Sequence, residues 1–188
     1  MPLYAKNTSA DKEQPSLGMH DAVCSFVEDL GTQTINYLSE TKNVQQVAIL
    51  FELDQLLTKG EYAGKPFMVS QKFTLSLHEK SNLSKQLESW FSKKINDETR
   101  LKGFDLLTLI TRKCTLNLIE NDKGYINISN ILPPNKDNQV VKVCEKRPQW
   151  IDDTIAKSLE KTQGAGFDAG EPLPEYSSQL DTDQNLPF

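Results

Sequence analysis

The chain reads as a mainly β protein, a five-stranded barrel with a helix between its third and fourth strands. Three observations predict this. Phe67, Val69, Phe73, Leu75 and Leu77 alternate with the mostly polar Met68, Ser70, Lys72, Thr74 and Ser76, the pattern of a strand with one buried face. After Ser81 the spacing changes, and Leu83, Leu87, Trp90 and Phe91 fall on one helical stripe. Two more alternating stretches follow, joined by Asn121-Asp122-Lys123-Gly124, a tight-turn sequence.

Length and composition bound the reading. A chain of 188 residues suits one medium domain with appendages, and 37% hydrophobic residues places part of it outside any core. No apolar run approaches the ~20 residues of a membrane helix, and the polar N-terminal stretch has no signal-peptide core, so a soluble, cytoplasmic protein is expected. Cys24, Cys114 and Cys144 are odd in number and widely spaced, which predicts free thiols rather than a disulfide framework or zinc site. The net charge of −5 resides wholly beyond Gly164, in Asp168, Glu171, Glu175, Asp181 and Asp183 with no Lys or Arg among them. Residues 1–163 are therefore formally neutral, and a basic face beside an acidic tail remains compatible with a polyanion partner.

Taken in order, residues 1–18 lack periodicity and read as a flexible arm. Ala22–Leu30 is the first strand, with Cys24, Phe26 and Leu30 on one face and Val23 and Val27 on the other; Gly31-Thr32-Gln33 ends it, and Asn36 to Asn43 reads as a loop. Val44–Leu53 is the second strand, apolar on both faces and so expected to be covered on both. A loop carrying Gly60, Tyr62 and Gly64 leads to the third strand, and Ser81 is the expected N-cap of the helix. Asn96–Leu101 reads as polar connection and Phe104–Ile110 as a short helical turn. Cys114–Ile119 and Tyr125–Leu132 are the fourth and fifth strands, stopped by Pro133-Pro134.

The order strand, strand, strand, helix, strand, strand is that of an OB-fold, the Greek-key barrel whose second and third strands and adjacent loops bind oligonucleotides or oligosaccharides. The barrel is assigned to residues 19–135. Residues 136–163 form a basic-leaning connector and an amphipathic helix in which Ile151, Ile155 and Leu159 recur every four residues, with Trp150 stapling it to the barrel. Residues 164–188 read as a disordered acidic tail.

Enzymatic signatures are absent: there is no phosphate-binding glycine loop, no GxSxG and no HExxH, so neither catalysis, a metal nor a cofactor is expected. Asp152-Asp153 open a predicted helix, where acids suit the macrodipole. Single-stranded nucleic acid requires cations along a groove and aromatic faces for stacking. The candidates at OB-fold binding positions are Tyr37 and Lys42 in the first loop, Tyr62 in the second, Lys65 and Lys72 on the third strand, Arg112 and Lys113 before the fourth, and Lys123 and Tyr125 in the last hairpin. The ending Asp181, Asp183, Leu186, Pro187 and Phe188 suits C-terminal capture by a partner protein, an aromatic entering a pocket behind an acidic run.

The segments Phe73–Phe91 and Leu101–Ile131, with Pro148-Gln149-Trp150-Ile151 after them, resemble bacteriophage OB-fold single-stranded DNA-binding proteins. The Pro-Phe ending is similar to the acidic tip of bacterial single-stranded DNA-binding proteins. The resemblance implies sequence-tolerant coating of single-stranded DNA in replication and recombination within a host bacterial cytoplasm, recruitment of partners through the tip, and compatibility with a homo-oligomer. Where that family carries a Gly-Lys-Pro-Cys turn, this chain has Thr111-Arg112-Lys113-Cys114. The alternative class is a protein-interaction module, such as a phage inhibitor of a host enzyme, on the same barrel.

Overall fold

The computed structural model describes residues 13–37 and 40–164, and side chains within 13–35 and 41–159. Five antiparallel strands form one sheet in the order β3-β2-β1-β4-β5: β1 Gly18–Tyr37, β2 Glu40–Leu56, β3 Pro66–Thr74, β4 Lys113–Glu120 and β5 Ile126–Leu132. Three α-helices accompany them, α1 Asn82–Phe91 and α2 Asp97–Lys102 between β3 and β4, and α3 Gln149–Gly164 after β5, with a 3-10 turn at Leu106–Leu109.

The first strand is twice as long as its sequence pattern suggests. Its ladder to β2 slips between Cys24 and Phe26 and again between Asp29 and Gly31, so Ser25 and Leu30 are bulge residues. Each bulge inverts the alternation. Ala22, Cys24 and Val27 thus share the main core, while Phe26 and Leu30 turn to the opposite face, which separates the predicted trio of Cys24, Phe26 and Leu30. Gly31 continues the strand rather than ending it, at φ 68°, and the expected loop Asn36 to Asn43 consists largely of paired strand around residues 38–39.

The alternation of β2 emerges as expected. Val47, Ile49, Phe51 and Leu53 enter the main core, and Ala48 and Leu50 enter a second, smaller core on the other face. That second core is closed by α3, whose Ile151 has no solvent exposure and packs with Leu30, Ala48 and Leu50. Side chains of this size each contribute about 1.5–3 kcal/mol when fully buried, which suffices to hold a helix carrying no backbone ladder to the sheet. Trp150 and Ile155 pack at its margin, whereas Leu159 is largely exposed, so the predicted stripe of three anchors is reduced to its first two. Ser158 Oγ donates to the Thr32 carbonyl (3.1 Å) across Gly31, where a Cβ would stand 2.5 Å from that hydroxyl oxygen.

Between β3 and β4 the chain closes one end of the main core. Ser81 caps α1 by accepting from Ser84 N (3.2 Å), and Leu83, Leu87 and Trp90 point inward. Trp90 Nε1 donates to the Lys113 carbonyl (3.0 Å), which leaves the indole no buried donor to satisfy. The stretch read as polar connection is α2, capped by Asn96, whose Oδ1 accepts from Thr99 N (2.7 Å). Arg100 from that helix reaches Glu88 Oε1 (2.7 Å) and the Leu77 carbonyl, fastening α2 beneath α1. Thr111 takes a left-handed φ of 69° and donates its N–H to the Cys24 carbonyl (2.8 Å).

The sheet is open. β3 and β5 approach each other, yet no ladder joins them among the described residues. At this seam Gln86 of α1 takes the place of a neighbouring strand: its Nε2 donates to the Ser129 carbonyl (2.9 Å) and its Oε1 accepts from Ile131 N (2.8 Å). The amide thereby completes the edge of β5 where a bulge at Ser129 turns both Ile128 and Ile131 inward.

Candidate nucleic-acid interface

The side of the sheet opposite the main core carries the candidate residues that lie closest together. The ladders align Phe26 with Leu50 and Ser70, and Glu28 with Ala48 and Lys72, so β1, β2 and β3 present one continuous outer surface. Three lysine-on-aromatic pairs are distributed over it. Lys65 Nζ lies 5.0 Å from the centre of the Tyr62 ring, Lys142 Nζ 4.3 Å from that of Phe26, and Lys72 Nζ 5.0 Å from that of Trp150. From Pro66 to Lys72 the strand rises about 20 Å, which sets the length of the row.

Each pair arises from a different local cause. Tyr62 and Lys65 flank Gly64 (φ 83°) in a loop tied by Lys65 N to the Tyr62 carbonyl at 3.0 Å. Phe26 faces outward because of the bulge at Ser25. Lys142 reaches it from the connector, which is held down by Glu52, a carboxylate with no solvent exposure. Glu52 Oε2 accepts from Val143 N (2.7 Å), and Oε1 accepts from Cys144 N (3.0 Å) and Ser25 Oγ (2.6 Å). Three donors converge on one buried carboxylate, which satisfies its lone pairs and fixes the path of the chain above the sheet. Desolvation and the nearby Glu52 push the Cys144 thiol up. Trp150 sits at the start of α3, where Arg147 joins Glu28 of β1 to Asp152 of the helix; these partners hold the Arg147 guanidinium above its ordinary range.

The other sequence candidates are dispersed. Lys42 lies on the β1–β2 hairpin, as does Tyr37, whose side chain is outside the described portion. The pairings of Ala22 with Leu53 and Gly18 with Leu118 put the β2–β3 loop and the β4–β5 turn beyond the start of β1. The hairpin lies past its other end, on the order of 60 Å of strand away. Lys123 and the exposed Tyr125 occupy the β4–β5 turn, built on Asn121 Oδ1, which accepts from the backbone of both (2.9 and 3.0 Å). Arg112 is over the Phe91 ring at 5.2 Å, beside the core-closing helix. Lys113 donates to the Asn138 carbonyl (2.7 Å) and holds the connector rather than facing a ligand. Asp181, Asp183, Leu186, Pro187 and Phe188 lie outside the described residues.

Sequence reasoning missed Phe26, Lys142 and Glu52, and treated Trp150 chiefly as a staple. The signals were faint: an outward Phe requires the bulge, and Glu52 alternates like any solvent-facing residue of a strand. It also passed over His20, whose Nδ1 lies 3.0 Å from Asp54 Oδ1 and whose Nε2 lies 3.2 Å from Ser16 Oγ. That order is the order of a nucleophilic triad, but the chemistry does not follow. Nε2 also lies 2.9 Å from the Ser16 carbonyl, so the nitrogen that would take the serine proton faces a second oxygen, and Ser16 Oγ donates to Gln55 Oε1 (3.1 Å) rather than standing free as a nucleophile. The arrangement anchors the chain where it enters β1.

Among the described residues no group of three or more His, Cys, Asp or Glu side chains is placed to hold a metal ion, and no helix is long and apolar enough to cross a membrane. No protein-family model, curated protein or solved structure matches this chain.

Proposed function

We propose that the chain is a single-stranded DNA-binding protein of the OB type, coating DNA in replication or recombination with little sequence preference. The observation that carries the reading is the row of three lysine-on-aromatic pairs along one face of β1, β2 and β3. A cation over an aromatic ring at an exposed site is held by only about 0.5–1 kcal/mol, so a lysine there is available to a phosphate. Tyr62 is exposed, while Phe26 and Trp150 are half-buried against the second core and offer a base only their outer faces. Stacking on such a ring contributes about 1–3 kcal/mol per base and tolerates any sequence. The strand order, with β1 antiparallel to both β2 and β4 and a helix closing the core between β3 and β4, supports the OB assignment. In this reading α1 and its Gln86 occupy the seam that a closed barrel would pair. The tip from Asp181 to Phe188 is assigned to recruitment of replication or recombination proteins.

The test is a salt-titrated gel shift with oligo-dT against duplex DNA of equal length. Preference for the single strand is expected, with Trp150→Ala weakening it by about 5- to 150-fold, the equivalent of one stacked base. Lys65→Gln, Lys72→Gln and Lys142→Gln should each flatten the salt dependence by about 0.7 in log–log slope. Removal of residues 177–188 should raise affinity at low salt, because the acidic segment competes with DNA for the same lysines. Equal binding of single-stranded and duplex DNA at low salt would overturn the reading.

A further inference from the structure

A groove of about 450 Å³ lies between the connector and the ends of β1, β2 and β3. Its walls are apolar, with Leu56, Val141 and Val143 each half exposed or more beside the buried Pro66. Its rim is acidic, carrying Asp21, Asp54 and Asp137 with no lysine or arginine lining it. An occupant must therefore present apolar side chains followed by a cation.

Two segments of this chain lie outside the described residues at its two ends, and their chemistry separates them. From Gly164 onward there are five acids and no base, which the aspartate rim repels. Residues 1–12 contain Leu3, Tyr4 and Ala5 followed by Lys6, with Lys12 further on. The point of departure also favours this arm. Glu13 accepts from Thr58 N (2.9 Å), Thr58 Oγ1 (2.8 Å) and Lys59 N (3.1 Å), which also hold its carboxyl below the usual range, and Ser16 N donates to Gln55 Oε1 (2.8 Å). Gln55 and Thr58 bracket Leu56 of the groove wall, so the arm leaves the sheet at the groove's edge. From Lys12 back to Tyr4 a fully extended chain spans about 28 Å, ample for a groove whose edge it already touches.

We infer that residues 3–6 dock in this groove on their own molecule, Leu3 and Tyr4 against Leu56 and Val141, and Lys6 at the aspartate rim. A tether of so few residues keeps the arm at roughly millimolar effective concentration, which favours its own groove over a second copy's. The docked arm covers the connector on both sides of Lys142 and so fixes the lysine paired with Phe26. The inference is independent of any nucleic-acid role.

Disulfide trapping tests it in the full chain. Leu3→Cys and Val141→Cys are combined with Cys144→Ser, which removes the neighbouring thiol, and the protein is oxidised at micromolar concentration. The expected product is an intramolecular disulfide, migrating as a monomer, at a yield at least tenfold above that of Leu186→Cys with the same Val141→Cys partner. A cross-linked dimer as the main product would assign the groove to a second copy's arm and overturn the proposal, as would equal yields from the two ends. In the otherwise native chain, Leu3→Asp with Tyr4→Asp should accelerate hydrogen exchange across Val140–Val143 about tenfold; unchanged exchange would also refute it.

Discussion

Replacing Gln86 by alanine tests whether a side-chain amide substitutes for the strand that β5 lacks. The change removes a donor from the Ser129 carbonyl and an acceptor from Ile131 N–H, groups that Gln86 bonds at 2.9 and 2.8 Å. The second of these bonds is fully buried and the first only partly so. A buried group left without a partner costs about 1–3 kcal/mol, so the loss should be about 2–4 kcal/mol, with the larger share from Ile131 N–H. Urea denaturation reports the total, and amide exchange at Ile131 reports the local cause. Gln86→Glu separates the two bonds, since a carboxylate still accepts from Ile131 N–H but faces the Ser129 carbonyl with a second acceptor; Ile131 should stay protected while stability falls. If Gln86→Ala shifts stability by less than about 0.5 kcal/mol, within the range of an ordinary surface substitution, and Ile131 exchange is unchanged, the amide is not completing the edge.

Three other substitutions or titrations probe the outer layer and the core. Glu52→Ala leaves Ser25 Oγ and the amides of Val143 and Cys144 without their acceptor; a loss of about 3–5 kcal/mol and faster exchange of both amides are expected, and protection of these amides in the variant would contradict the role given to the carboxylate. Gly31→Ala places a Cβ 2.5 Å from Ser158 Oγ at a φ of 68°. The left-handed backbone alone costs about 1–2 kcal/mol, and Ser158→Gly should recover only the steric remainder; full recovery would show that the backbone conformation carries no penalty. Burial pushes the Cys24 thiol up to about 12 and raises Cys114 as well. The unfolded chain ionises near about 8.5, so their contribution is complete below that pH and is lost as pH rises towards 12, giving a stability that declines above pH ~9. A thiol reagent at neutral pH should modify the half-buried Cys144 alone, with Cys24 and Cys114 reacting only on unfolding; three fast thiols would refute this packing.

What could be read in the sequence was whatever depends on uninterrupted local period. Val47, Ile49 and Phe51 alternate without a bulge, Leu53 keeps their phase where the ladder to β3 slips after Glu52, and all four reach the core they predict. Ser81, Leu83, Leu87 and Trp90 form a helix start and stripe for the same reason. The first strand was misread where its period is broken: the bulge at Ser25 returns Val27 to the face of Cys24, a second follows at Leu30, and nothing in a residue-by-residue alternation signals them. The openness of the sheet was also hidden, because closure depends on the approach of β3 and β5 across a whole domain, and Gln86 occupies a position on α1 that reads as ordinary polar surface. For the candidate site, Tyr62, Lys65 and Lys72 were legible from their loop and strand. Phe26 and Lys142 are more than a hundred residues apart in sequence and are brought together by the bulge at Ser25 and the buried Glu52, so their proximity had to come from the fold.

The outer face also explains why the candidate interface is a row rather than a broad surface. Leu30, Ala48 and Leu50 are too apolar to be left to solvent, and α3 covers them through Ile151. The helix consequently removes the middle of the β1–β2 face from any ligand. What remains follows the exposed margin of β3, where Ser70 and Lys72 alternate outward, and the connector that carries Lys142. The same helix that restricts the surface also supplies its third aromatic, since Trp150 reaches Lys72 only because Ile151 is buried one residue later. A single bulky change at Ile151 would therefore disturb Lys72, a residue on another element, and stability and ligand affinity should fall together at that position, whereas Trp150→Ala, which removes a side chain packed only at the margin of the second core, should cost less stability than the change at Ile151 while still weakening binding.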